Sequence, residues 1–235
     1  MNLTRHPDAG ALEHAVATEL AEIIKHAIGA HGRARLALAG GSTPMPIYRA
    51  LAREPLDWLR VSLLPGDERW VAHDHEACNF TAMRAAFGTR PADFRPLTPA
   101  RPGPEPDLAT ARESLAAIDS QVDGQFDACL LGMGADGHFA SLFPGAAELE
   151  TALDPEHPDP LVVVHPDPLP PEAPFARISL TLSAILSSSS LIMAIRGETK
   201  LNTLEQARAS GDARRYPVCA LLAHAGDRLK IHWSP

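Results

Sequence analysis

An apolar run in the middle of the chain ends in a glycine-rich segment that carries an acid and an imidazole. The run spans residues 126–131, and the segment 132–138 that follows it contains Asp136 and ends with His138. A free imidazole has a pKa of about 6.5, which suits a general base near neutral pH. We therefore predict that His138 is a catalytic base, whose tautomer is held by Asp136 or Asp67. We also expect a helix to start close to His138, and such a helix N-terminus would favour the neutral ring.

The same segment matches the dinucleotide-binding pattern Gly-x-Gly-x-x-Gly through its three glycines. That pattern also requires a second strand that ends in an acid about 20 residues later. Residues 145–158 show no clear strand, so the sequence does not favour a nicotinamide-dependent oxidoreductase. Ser141 follows the histidine by three residues, but no Gly-x-Ser-x-Gly elbow surrounds it, and a serine nucleophile is not favoured either.

A second glycine-rich segment, Gly40, Gly41, Ser42 and Thr43, also follows an apolar run. Glycines let the backbone approach a ligand, and the free N–H groups at a helix start favour an anion. We predict a helix over residues 44–52 with Thr43 as its N-cap, and a phosphate site in front of it. A tight turn before a capped helix explains the same residues without a ligand.

Four charged residues lie at other predicted strand and helix ends. Asp67 and Arg69 follow the strand predicted over residues 61–64, and we interpret them as a site acid and a substrate-contacting cation. Arg177 begins a later strand and Lys200 begins a helix. Two cations with a glycine-rich cradle would suit a phosphate dianion. Solvated charge at the ends of elements is the simpler alternative.

Short apolar runs alternate with amphipathic segments along the chain. The predicted strands are residues 35–39, 61–64, 126–131, 161–164, 178–182, 191–195 and, at a sheet edge, 229–233. The predicted helices are residues 11–31, 44–52, 79–87, 107–118 and 200–209. This alternation predicts an α/β fold with a mostly parallel, Rossmann-like sheet, flanked by helices on both faces, and a few extra strands. We take residues 1–235 as a single domain and expect the ligand beyond the carboxyl ends of the strands.

The composition argues against several functional classes. The 235 residues carry a net charge of −8, which gives no field that would attract a nucleic-acid backbone. No apolar run has the length that spans a bilayer. Three widely spaced cysteines argue against a disulfide framework or a structural zinc site. His73 and His75 lack an evident third ligand, so we predict no metal site. The cysteine usage favours a reduced, cytoplasmic location.

Four segments of the chain, taken in order, resemble the 6-phosphogluconolactonase family, within a larger group that includes glucosamine-6-phosphate deaminases. The segments are 38–44 (LAGGSTP), 66–69 (GDER) with Asn79 and Phe80, 130–144 (LLGMGADGHFASLFP), and 177–181 (RISLT) with 197–200 (GETK). The resemblance extends over most of the chain. The continuation 140–144 (ASLFP) is typical of the lactonases, whereas the deaminases usually carry Asn-Glu-Pro there.

The resemblance implies metal-free hydrolysis of 6-phospho-D-glucono-1,5-lactone to 6-phospho-D-gluconate, in the oxidative branch of the pentose phosphate pathway. It implies His138 as the general base. The positions that match pocket residues of the family are Gly40 to Thr43, Asp67, Arg69, Arg177 and Lys200. It implies a small sugar-phosphate substrate, no cofactor, no nucleic acid and no membrane, and it leaves both a monomer and a homodimer open. A deaminase or isomerase of the same group and a non-catalytic sugar-phosphate-binding protein are the alternatives.

Overall fold

The computed structural model describes residues 2–119, 126–167 and 174–235. The strands in these ranges are β1 (Asn2–Arg5), β2 (Ala34–Leu38), β3 (Val61–Pro65), β4 (Asp67–Arg69), β5 (Asp93–Phe94), β6 (Ala128–Leu131), β7 (Leu161–Val164), β8 (Arg177–Leu180), β9 (Ser190–Arg196) and β10 (Leu229–Ser234). The helices there are α1 (Ala9–His31), α2 (Pro44–Leu51), α3 (Asn79–Phe87), α4 (Ala109–Asp119), α5 (Leu149–Ala152), α6 (Leu182–Leu186), α7 (Glu198–Ser210) and α8 (Val218–Ala225).

Seven of these strands form one sheet in the order β1-β10-β9-β6-β2-β3-β5, and every neighbouring pair in it is parallel. The chain extends from β2 through β3 to β5 on one side, and later adds β6, β9 and β10 on the other. β2 and β6 are therefore adjacent strands whose onward connections diverge. Doubly wound sheets bind their ligands at such a point, beyond the carboxyl ends of the strands. The predicted fold class is confirmed.

Helices cover both faces of this sheet. The side chains of β2 alternate between two cores, because Leu36 and Leu38 pack with α1, α2 and α3, whereas Ala37 packs with α4, α6, α7 and α8. A strand that is buried on both faces has no polar positions, so its sequence is a short continuous apolar run. This is the physical reason why the central strands could be predicted within one or two residues.

α1 is the longest helix and has a defined cap at each end. The Asp8 side chain accepts a hydrogen bond from the Ala11 amide at 2.8 Å, and Gly32 ends the helix in the left-handed region with φ of 85°. The helix begins two residues before its predicted start because Asp8, rather than the first apolar residue, sets its beginning. Its apolar side lies against the sheet through Leu12 and Leu20, which are fully buried.

A second, three-stranded antiparallel sheet has the order β4-β8-β7. Its first strand corrects a prediction, because we expected Asp67 and Arg69 to follow the end of a strand and the structure places them on a strand of their own, β4. Three residues are too few to show the alternation of a strand, and the partner strand lies more than a hundred residues later. The amide of Gly66 bonds Leu38 of β2 and its carbonyl bonds Leu180 of β8, so this glycine joins the two sheets.

The edge of the main sheet also differs from the prediction. β10 was expected at an edge, but it pairs with β9 on one side and with β1 on the other. β1 was not predicted, because three of its four residues are polar and exposed. No helix in the described part of the chain combines the length and the apolar character needed to cross a membrane.

Candidate active site

A cavity of about 860 Å³ opens at the carboxyl ends of β2 and β6. All of the residues predicted from the sequence to form a site contribute to its wall. They are Gly40, Gly41, Ser42, Thr43, Asp67, Arg69, Asp136, His138, Arg177 and Lys200. The structure therefore brings the imidazole, the mid-chain cations and the first glycine-rich loop to one place, although they are spread over 160 positions of the sequence.

His138 is held by Asp136. Its Nδ1 lies 2.6 Å from Asp136 Oδ1, and its backbone amide donates to the same oxygen at 3.1 Å. With Nδ1 engaged by the carboxylate, Nε2 is the ring nitrogen left for a proton from a ligand or a water. Partial burial acts to raise the pKa of Asp136, but the hydrogen bond and charge of His138 outweigh it, so the pKa lies below its ordinary value.

Two of the three glycines before His138, Gly134 and Gly137, are required by close contacts or by backbone conformation. A Cβ at Gly134 would collide with the His138 ring and with the Asp136 carboxylate. Gly137 has a φ of 83°, in the left-handed region, and Tyr216 lies directly against it. The Gly134 amide also donates to the His138 carbonyl at 2.9 Å. Packing against His138 thus explains Gly134, and a left-handed backbone against Tyr216 explains Gly137, whereas a Cβ at Gly132 would meet no neighbour.

The expected helix start at His138 is absent from the described residues. The chain after His138 forms a tight turn, in which Phe139 and Leu142 make an isolated antiparallel bridge and Ala140 has a φ of 47°. The next helix is α5, and Pro144 precedes it. A left-handed residue and a proline so close together prevent a helix from starting there. The expected effect of a helix N-terminus on the His138 ring therefore does not apply.

Phe143 forms a part of the cavity wall that the sequence analysis missed. Its ring centre lies 4.2 Å from that of His138 at an angle of 35°, and the Arg177 guanidinium carbon lies 5.5 Å from the same ring centre. A ring in contact with the imidazole restricts its rotation, and a guanidinium over an aromatic face is favourable. An apolar side chain in the uncharged segment 139–147 carries no sequence signal of this contact.

Two arginines stand opposite each other in the small sheet, because Arg69 of β4 pairs in register with Arg177 of β8. Arg177 is buried, and its Nε donates to the Phe175 carbonyl at 3.1 Å. Arg69 donates from Nη1 to the Ala77 carbonyl at 2.6 Å. The buried Nε of Arg69 has no hydrogen-bond partner in the parts of the chain that the structure covers. Arg69 also lines the cavity, although this nitrogen itself is buried.

Lys200 lies in the first turn of α7 and lines the cavity. Burial lowers the pKa of its ammonium group, and the negative charge of Asp136 acts in the opposite direction. A partly desolvated ammonium gains more from an anionic ligand than a fully hydrated one does. Lys200 is thus suited to a phosphate group.

Glu68 is a further residue that the sequence analysis did not assign. Its fully buried carboxylate accepts hydrogen bonds from the amides of Arg69, Asn79 and Phe80 at 2.7–2.8 Å. Burial raises the pKa of Glu68, and the three amide bonds act against this rise. The carboxylate fastens β4 to the start of α3 and so fixes Asp67. No local sequence pattern predicts that an acid accepts hydrogen bonds from a helix start eleven positions later.

Asn79 connects the first glycine-rich loop to the small sheet. Its Nδ2 donates to the Asp67 carbonyl at 2.9 Å, and its side chain leaves no room for a Cβ at Gly40. Gly40 is therefore a glycine because of close packing. Thr43 occupies the N-cap position of α2, as predicted, but its side chain makes no capping hydrogen bond. Its backbone is already helical, and a hydroxyl in that conformation does not reach the amide that a cap serves.

α7 and the first residue of α8 hold the loop 132–138 from outside. Thr203 Oγ1 lies 2.8 Å from the Ala135 carbonyl, and the Val218 amide donates to the Gly137 carbonyl at 2.9 Å. One helix therefore carries Lys200 into the cavity and anchors the loop of His138. Among the described residues, no group of three His, Cys, Asp or Glu side chains could hold a metal ion.

Comparisons with known proteins agree with this geometry. The family described as glucosamine-6-phosphate isomerases/6-phosphogluconolactonase matches residues 7–233. A curated protein named 6-phosphogluconolactonase from Rhizobium meliloti is 35% identical, with 100% of this chain and 98% of the relative covered. One from Pseudomonas putida is 34% identical, with 97% and 90% covered. The crystal structure of a 6-phosphogluconolactonase from Shewanella baltica superposes with a TM-score of 0.88 at 33% identity, covering 100% of this chain and 98% of that one. The chain therefore belongs to the glucosamine-6-phosphate isomerase/6-phosphogluconolactonase family.

Proposed function

We propose that this protein is a 6-phosphogluconolactonase that hydrolyses 6-phospho-D-glucono-1,5-lactone to 6-phospho-D-gluconate. The observation that carries the proposal is the convergence of an Asp136-held imidazole and the Lys200 ammonium on one cavity. A lactone with a distant phosphate needs such a pair: a base at the ester and a cation at the anion. The relatives named 6-phosphogluconolactonase, at 34–35% identity over nearly the whole chain, support the same reaction.

His138 acts as the general base in this proposal. Its Nε2 takes a proton from the water that attacks C1, and Asp136 stabilises the imidazolium that forms. When the bond between C1 and the ring oxygen breaks, the imidazolium returns the proton to that oxygen, and the open-chain acid is released. Assistance of this kind accelerates a reaction by about 10²–10⁴.

Backbone amides of the loop 132–138 are candidates to stabilise the oxyanion that develops on the C1 carbonyl. The amides of Gly134 and Gly137 are engaged within the loop, the first by the His138 carbonyl and the second by the Gly134 carbonyl. Only the other amides of the loop can therefore stabilise the oxyanion. Arg69 lines the same cavity, and its guanidinium is a charged alternative donor.

The phosphate end is assigned to Lys200 and to the residues 40–43. The first amides of α2 have no partner inside the helix, and Gly41 has a φ of 96°, which leaves the loop backbone open to an anion. Arg177 adds a second cation to the cavity. Binding energy from this distant group fixes C1 against His138 and contributes to kcat as well as to affinity.

A sugar-phosphate deaminase is the main alternative on this fold. Phe143 stands where the deaminases of the family usually carry an acid, and its ring lies 4.2 Å from the His138 ring. An apolar ring in that place supplies no proton for an amine leaving group, which favours the lactonase.

The experiment generates the lactone in place with glucose-6-phosphate dehydrogenase and follows acid release with and without the protein, after subtraction of spontaneous hydrolysis. We expect acid release to accelerate in proportion to the protein concentration. Acid release at the spontaneous rate, or ammonia release from glucosamine 6-phosphate in its place, contradicts the proposal.

Two further predictions belong to this proposal. Residues 1–235 form a single domain, which calorimetry tests as one cooperative unfolding transition. The protein is located in the cytoplasm, which fractionation of the source cells tests.

A further inference from the structure

Asp67 and Ser141 form a hydrogen bond that the reaction described above does not use. Ser141 Oγ donates to Asp67 Oδ2 at 2.5 Å, across 74 positions of the sequence. Ser141 is fully buried and Asp67 nearly so. The Ser141 amide donates to Ser179 Oγ at 3.2 Å, and Ser179 stands directly opposite Asp67 in the small sheet. The bond thus joins the turn after His138 to β4.

This arrangement excludes two roles that the sequence analysis considered. Ser141 is inaccessible as a nucleophile, because its hydroxyl is buried and directed to Asp67. Asp67 does not hold the tautomer of His138, since Asp136 occupies Nδ1 at 2.6 Å. A buried carboxylate that lines the cavity without orienting the base must have another partner in the working enzyme.

The second oxygen of Asp67 indicates what that partner is. Oδ1 makes no hydrogen bond to any residue in the described ranges, although Asp67 lies in the cavity wall. An ionised carboxylate only accepts hydrogen bonds, and a phosphate would be repelled by it. A neutral O–H donor fits, and the ring of a sugar lactone carries several hydroxyl groups.

We propose that Ser141 is a positioning residue, which orients Asp67 so that Oδ1 accepts a hydrogen bond from one ring hydroxyl of the substrate. The inference rests on the proposed lactonase function and adds the determinant of hydroxyl recognition. A short bond from Ser141 fixes the rotation of the carboxylate and leaves Oδ1 facing the cavity. A site built to bind a substrate hydroxyl rejects the analogue that lacks it, because its own polar group is then left unpaired.

The test compares wild type and Ser141→Ala on 6-phosphogluconolactone and on its 2-, 3- and 4-deoxy analogues. Wild type loses about 10- to 100-fold in kcat/KM on the analogue that lacks the recognised hydroxyl, as for a hydrogen bond to a charged group. In Ser141→Ala this discrimination shrinks to a few-fold. Unchanged discrimination on all three analogues in the variant, or none in wild type, overturns the inference.

A double-mutant cycle separates a positioning role from a structural one. If Ser141 acts through Asp67, then Ser141→Ala lowers kcat/KM when Asp67 is present but has almost no further effect in an Asp67→Ala background. An equal loss in both backgrounds overturns the inference. Ser141→Cys keeps the shape and weakens the donor, so it serves if the alanine variant fails to fold. We expect Ser141→Cys to lose part of the discrimination among the analogues. Discrimination equal to that of wild type in this variant would contradict the inference.

Ser188→Ala is the matched control. Ser188 is equally buried, its Oγ has no partner in the covered parts of the chain, and it precedes β9 at the end of the sheet opposite the cavity. We expect its kcat/KM on every substrate to equal that of wild type. A wild-type protein without lactonase activity overturns the proposed function together with this inference. Normal activity with unchanged discrimination in Ser141→Ala overturns this inference alone.

Discussion

The two glycine-rich loops leave neighbouring strands, β2 and β6, but they are built in different ways. The loop 132–138 is held by Asp136, by Thr203 of α7 and by the amide of Val218. In the loop 40–43, Gly41 and Ser42 are exposed, and the Thr43 side chain makes no capping bond. The first fixes one ring within narrow limits, whereas the second offers unpaired backbone donors to a ligand.

This difference corresponds to what each end of the substrate requires. Bond making at C1 needs an imidazole in a fixed place, because small displacements of reacting groups are costly. An anion accepts hydrogen bonds from many directions, so open amides and a flexible lysine suffice to hold it. The comparison predicts that changes near His138 reduce kcat and that changes at the phosphate end increase KM.

The largest effect is expected for His138→Ala. Loss of the base should lower kcat by about 10²–10⁴ while KM for the phosphorylated lactone stays within a few-fold. The measurement is initial rates of acid release, corrected for spontaneous hydrolysis. A kcat close to that of wild type would remove the base assignment.

Gly134→Ala tests whether the rigidity of this loop matters by itself. The added Cβ collides with the His138 ring and the Asp136 carboxylate, so both must move. A displacement of the base by about 1 Å costs on the order of 10² in kcat. Gly29→Ala is the control, since a Cβ at that position of α1 meets no neighbour. Equal kcat in both variants would show that the loop tolerates displacement.

Lys200→Ala should act on the other end of the substrate. We expect KM for the phosphorylated lactone to rise about 10- to 100-fold, as for loss of a charge-assisted bond, with no change on unphosphorylated gluconolactone. Lys25, an exposed lysine of α1, provides the matched control as Lys25→Ala. An equal loss on both lactones would mean that Lys200 does not contact the phosphate.

The pH dependence of product binding sharpens the same assignment. Because burial lowers the pKa of Lys200, its ammonium loses its proton at a lower pH than a solvated lysine does. Affinity for 6-phosphogluconate should therefore fall as the pH rises towards 10, and Lys200→Arg should abolish this fall because guanidinium stays charged. Calorimetric titration over this pH range is the measurement. Identical pH profiles in both proteins would exclude Lys200 as the titrating group.

The smallest effect is expected at Gly40. Gly40→Ala pushes the Asn79 side chain away and breaks its bond to the Asp67 carbonyl. The free energy of unfolding should fall by about 0.5–1.5 kcal/mol, with KM raised only a few-fold. Urea unfolding measures this, with Gly103→Ala as a control whose Cβ has open space. A loss of kcat comparable to that of Gly134→Ala would contradict the distinction between the two loops.

The sequence predicts those parts of the fold that one local pattern determines. The buried parallel strands appear as apolar runs because both their faces are covered. β1 and β4 were missed because short, mostly polar strands depend on remote partners, β10 and β8. Because β1 was not predicted, β10 lacked its second neighbour and was placed at the edge of the sheet.

The site is predictable to the extent that strand ends converge. The residues after β2, β3 and β6 were expected to meet beyond one sheet edge, and all of them line the cavity. The roles of Glu68, Phe143 and Ser141 depend on contacts between distant segments, such as the bond of Ser141 to Asp67 across 74 positions. Neither spacing nor residue type encodes such contacts.

The most direct test of the central claim is a crystal structure with bound 6-phosphogluconate. The account predicts the C1 carboxylate within hydrogen-bond reach of His138 Nε2, directly or through one water, and the phosphate against Lys200 and the residues 40–43. A product bound in the reverse direction, with its phosphate at His138, would contradict the account.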